Sequence, residues 1–473
     1  MGFGEGDRVH LIGIGGAGMS GIARILLARG AVVSGSDAKD SRVVLALRAL
    51  GARVEVGHDV AHLPVAPATV VVSTAIRQTN PELVGAHDRG LEVVHRARAL
   101  AALTAGRRLA CVTGTAGKTS TTSMLTVALQ HCGLDPSFAI GGDLASSDSG
   151  AHEGSGEIFV VEADESDASF LAFTSEVAVV TNVEADHLDY YGTVEAYVAA
   201  FEAFVDRIVP GGSLVSCADD PGAEALARTA EGRGIEVRRY GRTAFRAGDT
   251  VLVDFQPDGT GARVVLRHTG VEHLLWLAVP GEHMALNALG ALLAGMELGA
   301  DPEGLLAGLA AFDGVRRRFE YKGRAGGVAV YDDYAHHPSK VAAQLRAARE
   351  VVAARKADTV AGRGRVVVAF QPHLYSRTRE FAQQFGQALG LADEVVVLEI
   401  YGAREDPEPG VTGALVAEAV PLPRERVHYL PRWSDVPEVL ARLARPGDLV
   451  ITMGAGDVTV LGPEVLRELE RRA

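Results

Sequence analysis

Three times along this chain, a short run of β-branched and other apolar residues opens a new alternation of strand and helix patterns. The runs are Val9–Ile14, Leu109–Thr113 and Val328–Tyr331. Each is followed by segments whose apolar residues recur at helical spacing, such as Met19–Arg29 and Ser339–Ala354. Alternating strands and helices favour parallel sheets with crossover helices. The sequence therefore predicts an α/β protein whose strand pattern restarts near residues 106 and 316.

The composition argues against nucleic-acid binding and membrane insertion. The formal charge of the 473 residues is −14, whereas a protein that binds a phosphate backbone needs a basic face. The longest weakly polar stretch, Met284–Met296, is interrupted by Asn287 and is too short to span a bilayer. Residues 1–8 lack the apolar core of a secretory signal, and the three cysteines lack the spacing of a disulfide framework or zinc site. These features predict a soluble, cytoplasmic protein.

A glycine-rich loop follows the first strand. Gly13-Ile14-Gly15-Gly16-Ala17-Gly18 matches the pattern G-x-G-x-x-G, in which backbone amides approach a diphosphate at a helix N-terminus. Asp37 ends the next strand, where a ribose-binding acid lies in dinucleotide folds. The pattern does not choose between a nicotinamide cofactor and a nucleotide-linked substrate. The alternative is that the glycines serve only the packing of helix on strand.

A second loop predicts a nucleoside-triphosphate site. Gly114-Thr115-Ala116-Gly117-Lys118-Thr119 lies between a strand and a helix and is shorter than the usual Walker pattern. Its amides can cradle phosphates, Lys118 can neutralise the β- and γ-phosphate oxygens, and the Thr119 hydroxyl can bind Mg²⁺. Ser120 adds a hydroxyl to the first helical turn. The alternative is a chance G-K-T in a polar loop.

Acidic residues follow the next two strands, in the segments Val160–Glu165 and Thr181–Asp189. The carboxyl ends of strands in doubly wound sheets converge on the ligand crevice. Glu162 and His187 could therefore reach one metal ion, either Mg²⁺ or Mn²⁺. The alternative is that these carboxylates are solvated strand ends.

Together these motifs resemble those of the peptidoglycan-precursor (Mur) ligases. Seven segments carry the resemblance, in that family's order: Gly13–Ile22, Gly114–Thr119, Glu162–Asp167, Thr181–Asp189, Arg317–Phe319, Asp332–Pro338 and Phe370–Arg379. The first and sixth are especially similar to the L-alanine-adding member. The resemblance implies a three-domain architecture: a Rossmann-like UDP-sugar domain at 1–105, a P-loop ATPase-like domain at 106–315, and a Rossmann-like amino-acid domain at 316–473.

The resemblance also implies a reaction. ATP would phosphorylate the carboxylate of UDP-N-acetylmuramate, and the amine of L-alanine would attack the acyl phosphate. The tetrahedral intermediate would then release phosphate, in the synthesis of a cell-wall precursor. Catalysis would consist mostly of positioning and charge neutralisation. The implied partners are ATP, UDP-N-acetylmuramate and L-alanine, and we expect a monomer or a homodimer.

By the same resemblance, individual residues receive roles. The catalytic residues are expected to be Lys118, Glu162, His187 and Arg318. The ATP-binding residues are expected to be Gly114, Thr115, Ala116, Gly117, Lys118, Thr119, Ser120, His283, Asn287, Arg318 and Asp333. The UDP-sugar-binding residues are expected to be Gly13, Gly15, Gly16, Ala17, Gly18, Met19, Asp37 and Ser73. The amino-acid pocket is expected to contain His336, His373 and Arg377, and the metal ligands to be Thr119, Glu162 and His187. Ordinary structural or surface roles are the alternative for several residues: the histidines His336, His337 and His373, Asn287 and the arginine run 316–318.

The chain departs from the family pattern at two positions: Ala116 stands where His is usual, and Met284 where Asn is usual. No lysine lies between Lys118 and Lys322, so the carbamoylated lysine of sibling ligases has no counterpart, which favours the alanine-adding member. Three alternatives remain open. They are a ligase joining recycled murein tripeptide to the same sugar, a nicotinamide-dependent dehydrogenase domain in residues 1–100, and a non-enzymatic nucleotide sensor.

Overall fold

The computed structural model describes residues 3–243, 246, 248–354, 364–403 and 405–472, without the side chain of Asp189. The chain divides into two compact units. The first comprises Met1–Leu252, Arg267–Val271 and Leu286–Ala311, and the second comprises Val253–Leu266, Glu272–Ala285 and Phe312–Ala473. Among the described residues, no helix combines the length and apolar character needed to cross a membrane.

The first sheet of the first unit is parallel throughout. Its strands are β1 (Arg8–Ile12), β2 (Val32–Asp37), β3 (Arg53–Val56), β4 (Thr69–Val72) and β5 (Glu92–His95), and its helices are α1 (Ala17–Ala28), α2 (Arg42–Ala49), α3 (Pro81–Asp88) and α4 (Arg96–Leu103). The strand order is β3-β2-β1-β4-β5. Apolar side chains cover both faces, with Val9 and Leu11 on one and Ile12 on the other. Because the order reverses beside β1, the loop that follows β1 lies at the position where such sheets bind ligands.

The second sheet surrounds a buried central strand. Its elements are β6 (Arg108–Thr113), α5 (Lys118–His131), β7 (Ser137–Ala139), β8 (Ala151–His152), β9 (Ile158–Glu162), β10 (Ser175–Val180), α6 (Leu188–Tyr191), α7 (Val194–Val205), β11 (Ile208–Cys217), α8 (Pro221–Gly232) and β12 (Glu236–Gly241). Among these strands the order is β12-β11-β10-β6-β9-β7-β8, and β6 pairs in parallel with both β9 and β10. The carboxyl ends of these three strands therefore meet at one edge.

The chain continues through a meander and two helices: β13 (Thr250–Asp258), β14 (Gly261–His268), β15 (Val271–Leu277), α9 (Glu282–Glu297) and α10 (Pro302–Ala310). Thr250 and Val251, at the start of β13, pair with the end of β12. The weakly polar stretch Met284–Met296 lies within α9.

The second unit contains a six-stranded sheet. Its elements are β16 (Glu320–Ala325), β17 (Val328–Asp333), α11 (Pro338–Ala354), β18 (Val366–Phe370), α12 (Tyr375–Leu389), β19 (Glu394–Leu398), α13 (Ala414–Ala419), β20 (Val427–Leu430), α14 (Val436–Leu443), β21 (Leu449–Met453) and α15 (Leu461–Arg472). The order is β16-β17-β21-β18-β19-β20, and only the β16–β17 pair is antiparallel. Separate apolar clusters cover its two faces. The predicted α/β class is confirmed.

Candidate active site

The phosphate loop has space only for glycine at two positions. Gly114 has φ +131° and Gly117 has φ +87°, values that side-chain-bearing residues rarely adopt. A methyl group on Gly114 would lie 2.2 Å from Oγ1 of Thr181, and one on Gly117 would lie 2.7 Å from Oδ1 of Asn287. Gly117 precedes the first residue of α5, so the loop presents amides at the N-terminus of a 14-residue helix. That arrangement binds anions.

Two residues after β10 hold this loop by its backbone. Asn182 accepts a hydrogen bond from the amide of Ala116 at 2.7 Å and donates to its carbonyl at 3.1 Å. Thr181 donates to the same carbonyl at 2.5 Å. Because Ala116 is fixed through its main chain, the loss of the family's usual histidine side chain leaves this support in place. Neither Thr181 nor Asn182 was among the predicted site residues.

Lys118 opens α5 and is held among carboxylates. Its Nζ donates to the carbonyl of Gly114 at 2.7 Å and to Oε1 of Glu165 at 2.8 Å. Burial lowers the pKa of Lys118, but the charges of Glu165, Asp164 and Glu162 outweigh burial and raise the pKa above its ordinary value. Lys118 is therefore a charged ammonium group at neutral pH.

Glu165 links Lys118 to His187, a role that the sequence did not reveal. Its side chain has no exposed surface, and its Oε1 lies 3.6 Å from Nε2 of His187. The hydroxyl of Tyr191 donates to its backbone carbonyl at 2.5 Å. His187 has φ +54° at the start of α6, and its Nε2 also lies 3.6 Å from Oδ2 of Asp186. The only signal for Glu165 was its place in the acidic segment that follows β9.

Thr119 and Glu162 form an oxygen-rich pair beside the loop. The Thr119 hydroxyl donates to Oε1 of Glu162 at 2.8 Å, and the Gly141 amide donates to Oε2 at 2.7 Å. Within the described part of the chain, no group of three or more His, Cys, Asp or Glu side chains is arranged to hold a metal ion. Of the three predicted metal ligands, Thr119 and Glu162 are hydrogen-bonded to each other, and His187 lies 3.6 Å from carboxylate oxygens of Glu165 and Asp186.

The glycine loop after β1 is more open. The amides of Gly13 and Ile14 donate to the carbonyl of Ser36 at 2.8 and 3.0 Å, and the amide of Gly15 donates to Oδ2 of Asp37 at 2.9 Å. Residues 16–18 are exposed, and no side chain caps α1.

Three of the predicted UDP-sugar-binding residues, Met19, Asp37 and Ser73, are buried or half-buried in the structure. Asp37 is already bonded to the glycine loop, and Ser73 is half-buried after β4. Met19 is 3% exposed and packs in the core, so its predicted role in binding cannot come from its side chain in this conformation.

In the second unit, Arg317 and Arg318 lie over the ring of Tyr334, with guanidinium carbons 4.8 and 5.1 Å from its centroid. Asp333 is fully buried, and its carboxylate accepts the amides of Phe319 at 2.8 Å and Ala335 at 2.7 Å. Burial raises the pKa of Asp333 to about 6, although Arg318 and the two amides lower it. Asp333 therefore shapes the turn that presents Arg318, and its predicted role in binding ATP stays a prediction.

The three predicted amino-acid-binding residues come together in the second unit. The rings of His336 and His373 lie 5.7 Å apart, and Nη1 of Arg377 lies 3.4 Å from Nδ1 of His373. Burial, Lys340, Arg377 and His373 all depress the pKa of His336. Tyr401, which was not predicted, stacks on His373 at 5.9 Å.

Two further predicted ATP-binding residues, His283 and Asn287, lie on α9. Burial lowers the pKa of His283 to about 4, and its Nε2 lies 3.5 Å from Nε2 of Gln344 in the second unit. Asn287 is 7% exposed and, in the first unit, approaches Gly117 of the phosphate loop. Met284, the second departure from the family, is also 7% exposed, so its side chain is buried.

Comparison with known proteins identifies the family. The model of the Mur ligase family catalytic domain matches residues 8–108, that of the Mur ligase middle domain matches 112–295, and that of the Mur ligase glutamate ligase domain matches 317–456. The chain belongs to the Mur ligase family. The match over residues 8–108 removes the dehydrogenase alternative for the first sheet. The predicted domain limits and residue roles stay predictions.

This Mur ligase has full-length relatives. It is 63% identical to the UDP-N-acetylmuramate–L-alanine ligase of Saccharopolyspora erythraea over 470 residues, which cover 99% of this chain and 94% of the relative. It is 61% identical to the ligase of the same name from Kineococcus radiotolerans over 468 residues, covering 98% and 97%.

Two solved structures share its architecture. The UDP-N-acetylmuramate–alanine ligase of Thermotoga maritima has a TM-score of 0.80 at 27% identity, covering 98% of this chain and 100% of that one. The murein peptide ligase of Psychrobacter arcticus has a TM-score of 0.71 at 25% identity, covering 98% and 99%. The predicted three-domain Mur ligase architecture is confirmed.

Proposed function

We propose that this Mur ligase uses ATP to couple L-alanine to the carboxylate of UDP-N-acetylmuramate. The products are UDP-N-acetylmuramoyl-L-alanine, ADP and phosphate. Two relatives that are more than 60% identical over nearly the whole chain are named for this activity. The murein peptide ligase, named for the rival acceptor, is 25% identical. The observation that carries the proposal is the phosphate loop, where charged Lys118 lies beside the Thr119–Glu162 oxygen pair.

The first step requires a cation beside the terminal phosphoryl group of ATP. A carboxylate oxygen of the sugar attacks the γ-phosphorus, the bond to ADP breaks, and an acyl phosphate forms. Lys118 and the amides at the start of α5 neutralise the charge that moves onto the phosphoryl oxygens. Glu165 keeps Lys118 charged and aimed at the loop.

The residues at this edge of the sheet fit a magnesium ion. The Thr119 hydroxyl and the Glu162 carboxylate are hard oxygen ligands whose atoms already lie 2.8 Å apart. Mg²⁺ in nucleotide sites takes only one or two protein ligands and completes its octahedron with water and phosphate. When bound, the ion supplies positive charge to the phosphates. His187 as a further ligand, and Mn²⁺ as a substitute, belong to the same proposal.

The second step joins the amino acid. The neutral amine of L-alanine attacks the acyl carbon, the nitrogen gives up one proton to solvent, and the tetrahedral intermediate expels phosphate as the C–O bond breaks. Arg377 is the donor suited to the L-alanine carboxylate, because a guanidinium binds a carboxylate through two parallel hydrogen bonds. Burial and the neighbouring cations depress the pKa of His336, so at neutral pH its ring carries no positive charge that would compete with Arg377 for that carboxylate.

Phosphate release tests the proposal. With ATP, Mg²⁺ and UDP-N-acetylmuramate present, we expect release only after L-alanine is added, and none when any component is omitted. Phosphate release at the same rate with and without L-alanine would contradict the assignment. Murein tripeptide replaces L-alanine in a parallel reaction, and a preference for the tripeptide would identify the recycling ligase instead. ATP binding without any turnover would identify a nucleotide sensor.

The reaction also sets expectations for location and assembly. ATP and a UDP-linked sugar are cytoplasmic metabolites, so we place the enzyme in the cytoplasm. We expect a monomer or a homodimer, which light scattering of the purified protein distinguishes.

A further inference from the structure

Arg96 lies between the two nucleotide-binding loops of the first unit. It follows β5 and is the first residue of α4. Its Nη2 donates to Oδ2 of Asp164 at 2.9 Å and lies 3.5 Å from Oδ2 of Asp167. Its Nη1 would lie 3.2 Å from a methyl group on Gly18. One guanidinium group therefore touches both the glycine loop at α1 and the acidic segment that follows β9.

Further contacts show that several loops meet at this guanidinium. The Thr74 hydroxyl, two residues after β4, donates to Oδ2 of Asp167 at 3.5 Å. Burial raises the pKa of Asp164, but Lys118 and Arg96 lower it, and the net result is a pKa of about 2. Asp164 is thus ionised and shared between the cation of the phosphate loop and Arg96. The loops after β1, β4 and β5 converge on the loop after β9.

The glycine loop itself offers no positive side chain. Residues 13–18 contain only glycine, isoleucine and alanine, and the first turn of α1 has no basic residue. The neighbouring phosphate loop carries Lys118. A nucleotide sugar held by amides at α1 would therefore lack a cation unless another element supplied one. Arg96 is in position to do so, and its side chain is 23% exposed and so within reach of a ligand.

The substrate of the proposed reaction must pass this point. Its diphosphate would lie on the amides at the start of α1, and its carboxylate must reach Lys118 and Glu162. Arg96 lies beside Gly18 at one end of that path and pairs with Asp164, which also interacts with the charge of Lys118, at the other. Its planar group of N–H donors suits phosphate and carboxylate oxygens equally, and bidentate pairing with either is strong.

We propose that Arg96 binds an anionic group of the nucleotide sugar, which takes the place of Asp167 on its guanidinium. The inference rests on the proposed function, because it presumes that a nucleotide sugar spans the two loops. Asp164 and Asp167 hold the guanidinium in place before the substrate arrives. The anionic group is either the diphosphate or the carboxylate, since both present the same oxygen chemistry.

Calorimetric titration of the full-length protein tests this. The ligands are UDP and UDP-N-acetylmuramate, titrated into wild type, Arg96→Ala, Arg96→Lys and the control Arg98→Ala, whose arginine is exposed on the same helix. We expect Arg96→Ala to weaken UDP-N-acetylmuramate binding by about tenfold or more, as loss of a charge-assisted hydrogen bond does. Equal weakening for UDP would assign the contact to the diphosphate. Weakening confined to UDP-N-acetylmuramate would assign it to the carboxylate.

The remaining outcomes separate three kinds of failure. ATP affinity should be unchanged in Arg96→Ala, which shows that the protein is folded. If ATP binding is lost as well, Arg96→Lys decides: weaker binding of the sugar with normal ATP affinity supports the inference. Wild-type affinity for both UDP ligands in a folded Arg96 variant, or an equal loss in Arg98→Ala, would overturn it. A wild-type protein that does not bind UDP-N-acetylmuramate would contradict the proposed function instead.

Discussion

The glycine loops at residues 13–18 and 114–119 follow β1 and β6, strands that have a parallel neighbour on each side, and each loop opens a helix. They use glycine differently. In the second loop, Gly114 and Gly117 both have positive φ, and a methyl group on either would come within 3 Å of a neighbouring atom. In the first loop, Gly13 has a positive φ and a methyl group on Gly15 would lie 2.9 Å from Asp37, but Gly16 and Gly18 are exposed with ordinary φ. The second loop carries its own cation, and the first takes one from another element.

This difference follows from the chemistry that each loop serves. The phosphate bond of ATP breaks during the reaction, so the groups around it must stay fixed while charge moves. A nucleotide diphosphate that only anchors a substrate needs amides and an adjustable counter-charge. The same strand–loop–helix pattern in sequence therefore does not imply the same degree of rigidity or the same function.

The largest effect is expected from removing the cation of the second loop. Lys118→Ala should lower kcat for phosphate release by about 1,000-fold or more, the size typical of removing a cation from a phosphoryl-transfer site. Circular dichroism and UDP-N-acetylmuramate affinity should stay close to wild type. Arg228→Ala, which removes a cation that is 70% exposed on α8, serves as the control. A Lys118→Ala enzyme with near-normal kcat would show that the loop has been misassigned.

The glycines themselves test the contrast in rigidity. Gly114→Ala places a methyl group 2.2 Å from Thr181 and 3.0 Å from the backbone of Asn182. The loop must shift, and kcat/KM for ATP should fall by about 100-fold. In Gly18→Ala the methyl group meets only the movable end of Arg96 at 3.2 Å, so KM for the sugar should rise by no more than about threefold. Similar losses in the two variants would erase the distinction between the loops.

Glu165→Gln should have an intermediate effect. The variant keeps the shape of the side chain but removes the charge that contributes most to raising the pKa of Lys118. We expect kcat to fall about tenfold, as when an outer partner of an active-site group is lost. The alkaline limb of the kcat profile should move to lower pH, because Lys118 then loses its proton more readily. If kcat falls but the limb does not move, Glu165 acts on His187 and not through Lys118.

Much of the fold could be predicted because buried parallel strands are continuous apolar runs. β6, β9 and β21 have this form. So does β17, the strand at which the alternation of strands and helices begins for the third time. Short elements such as β3 were not predicted, because four residues of which two are charged show little periodicity. The helix α3 was also not predicted, although Asn80-Pro81 is a recognisable start signal. Asn80 caps the helix with its side chain, and Pro81 is the first helical residue.

The site was predictable only where residues lie inside motifs. Lys118, Thr119 and Glu162 follow strands in recognisable segments, and the structure brings them to one edge. Asn182 and Arg96 were not predicted, because their contacts depend on which strands are neighbours. The order β10-β6-β9 places Asn182 against the phosphate loop, and nothing in local periodicity reveals that order. Sequence motifs therefore identify the residues that contact a ligand. They identify less well the residues that hold those ligand-binding residues in position.

The smallest effect on activity is expected from the support of the first loop. Ser36 accepts the amides of Gly13 and Ile14 through its carbonyl, and its hydroxyl donates to Oε2 of the fully buried Glu82 at 2.5 Å. His10 and His62 contact the same carboxylate at 3.3 and 2.8 Å. Although burial raises the pKa of Glu82, these partners lower it to about 2. The loop is thus anchored, through Ser36, by a fully buried and ionised carboxylate.

Glu82→Gln should therefore cost stability more than catalysis. Its amide group replaces one acceptor with a donor, and unfolding at pH 7 should become easier by about 1–3 kcal/mol, with kcat little changed. Because the folded pKa lies below the ordinary value of 4.5, the carboxylate stabilises the wild type above about pH 4.5 and loses this effect as the pH falls towards 2. Urea unfolding at pH 7, 4 and 3 should show the gap between wild type and variant narrowing with acid. A gap that stays constant would mean that the shape of the side chain, and not its charge, supports the first loop.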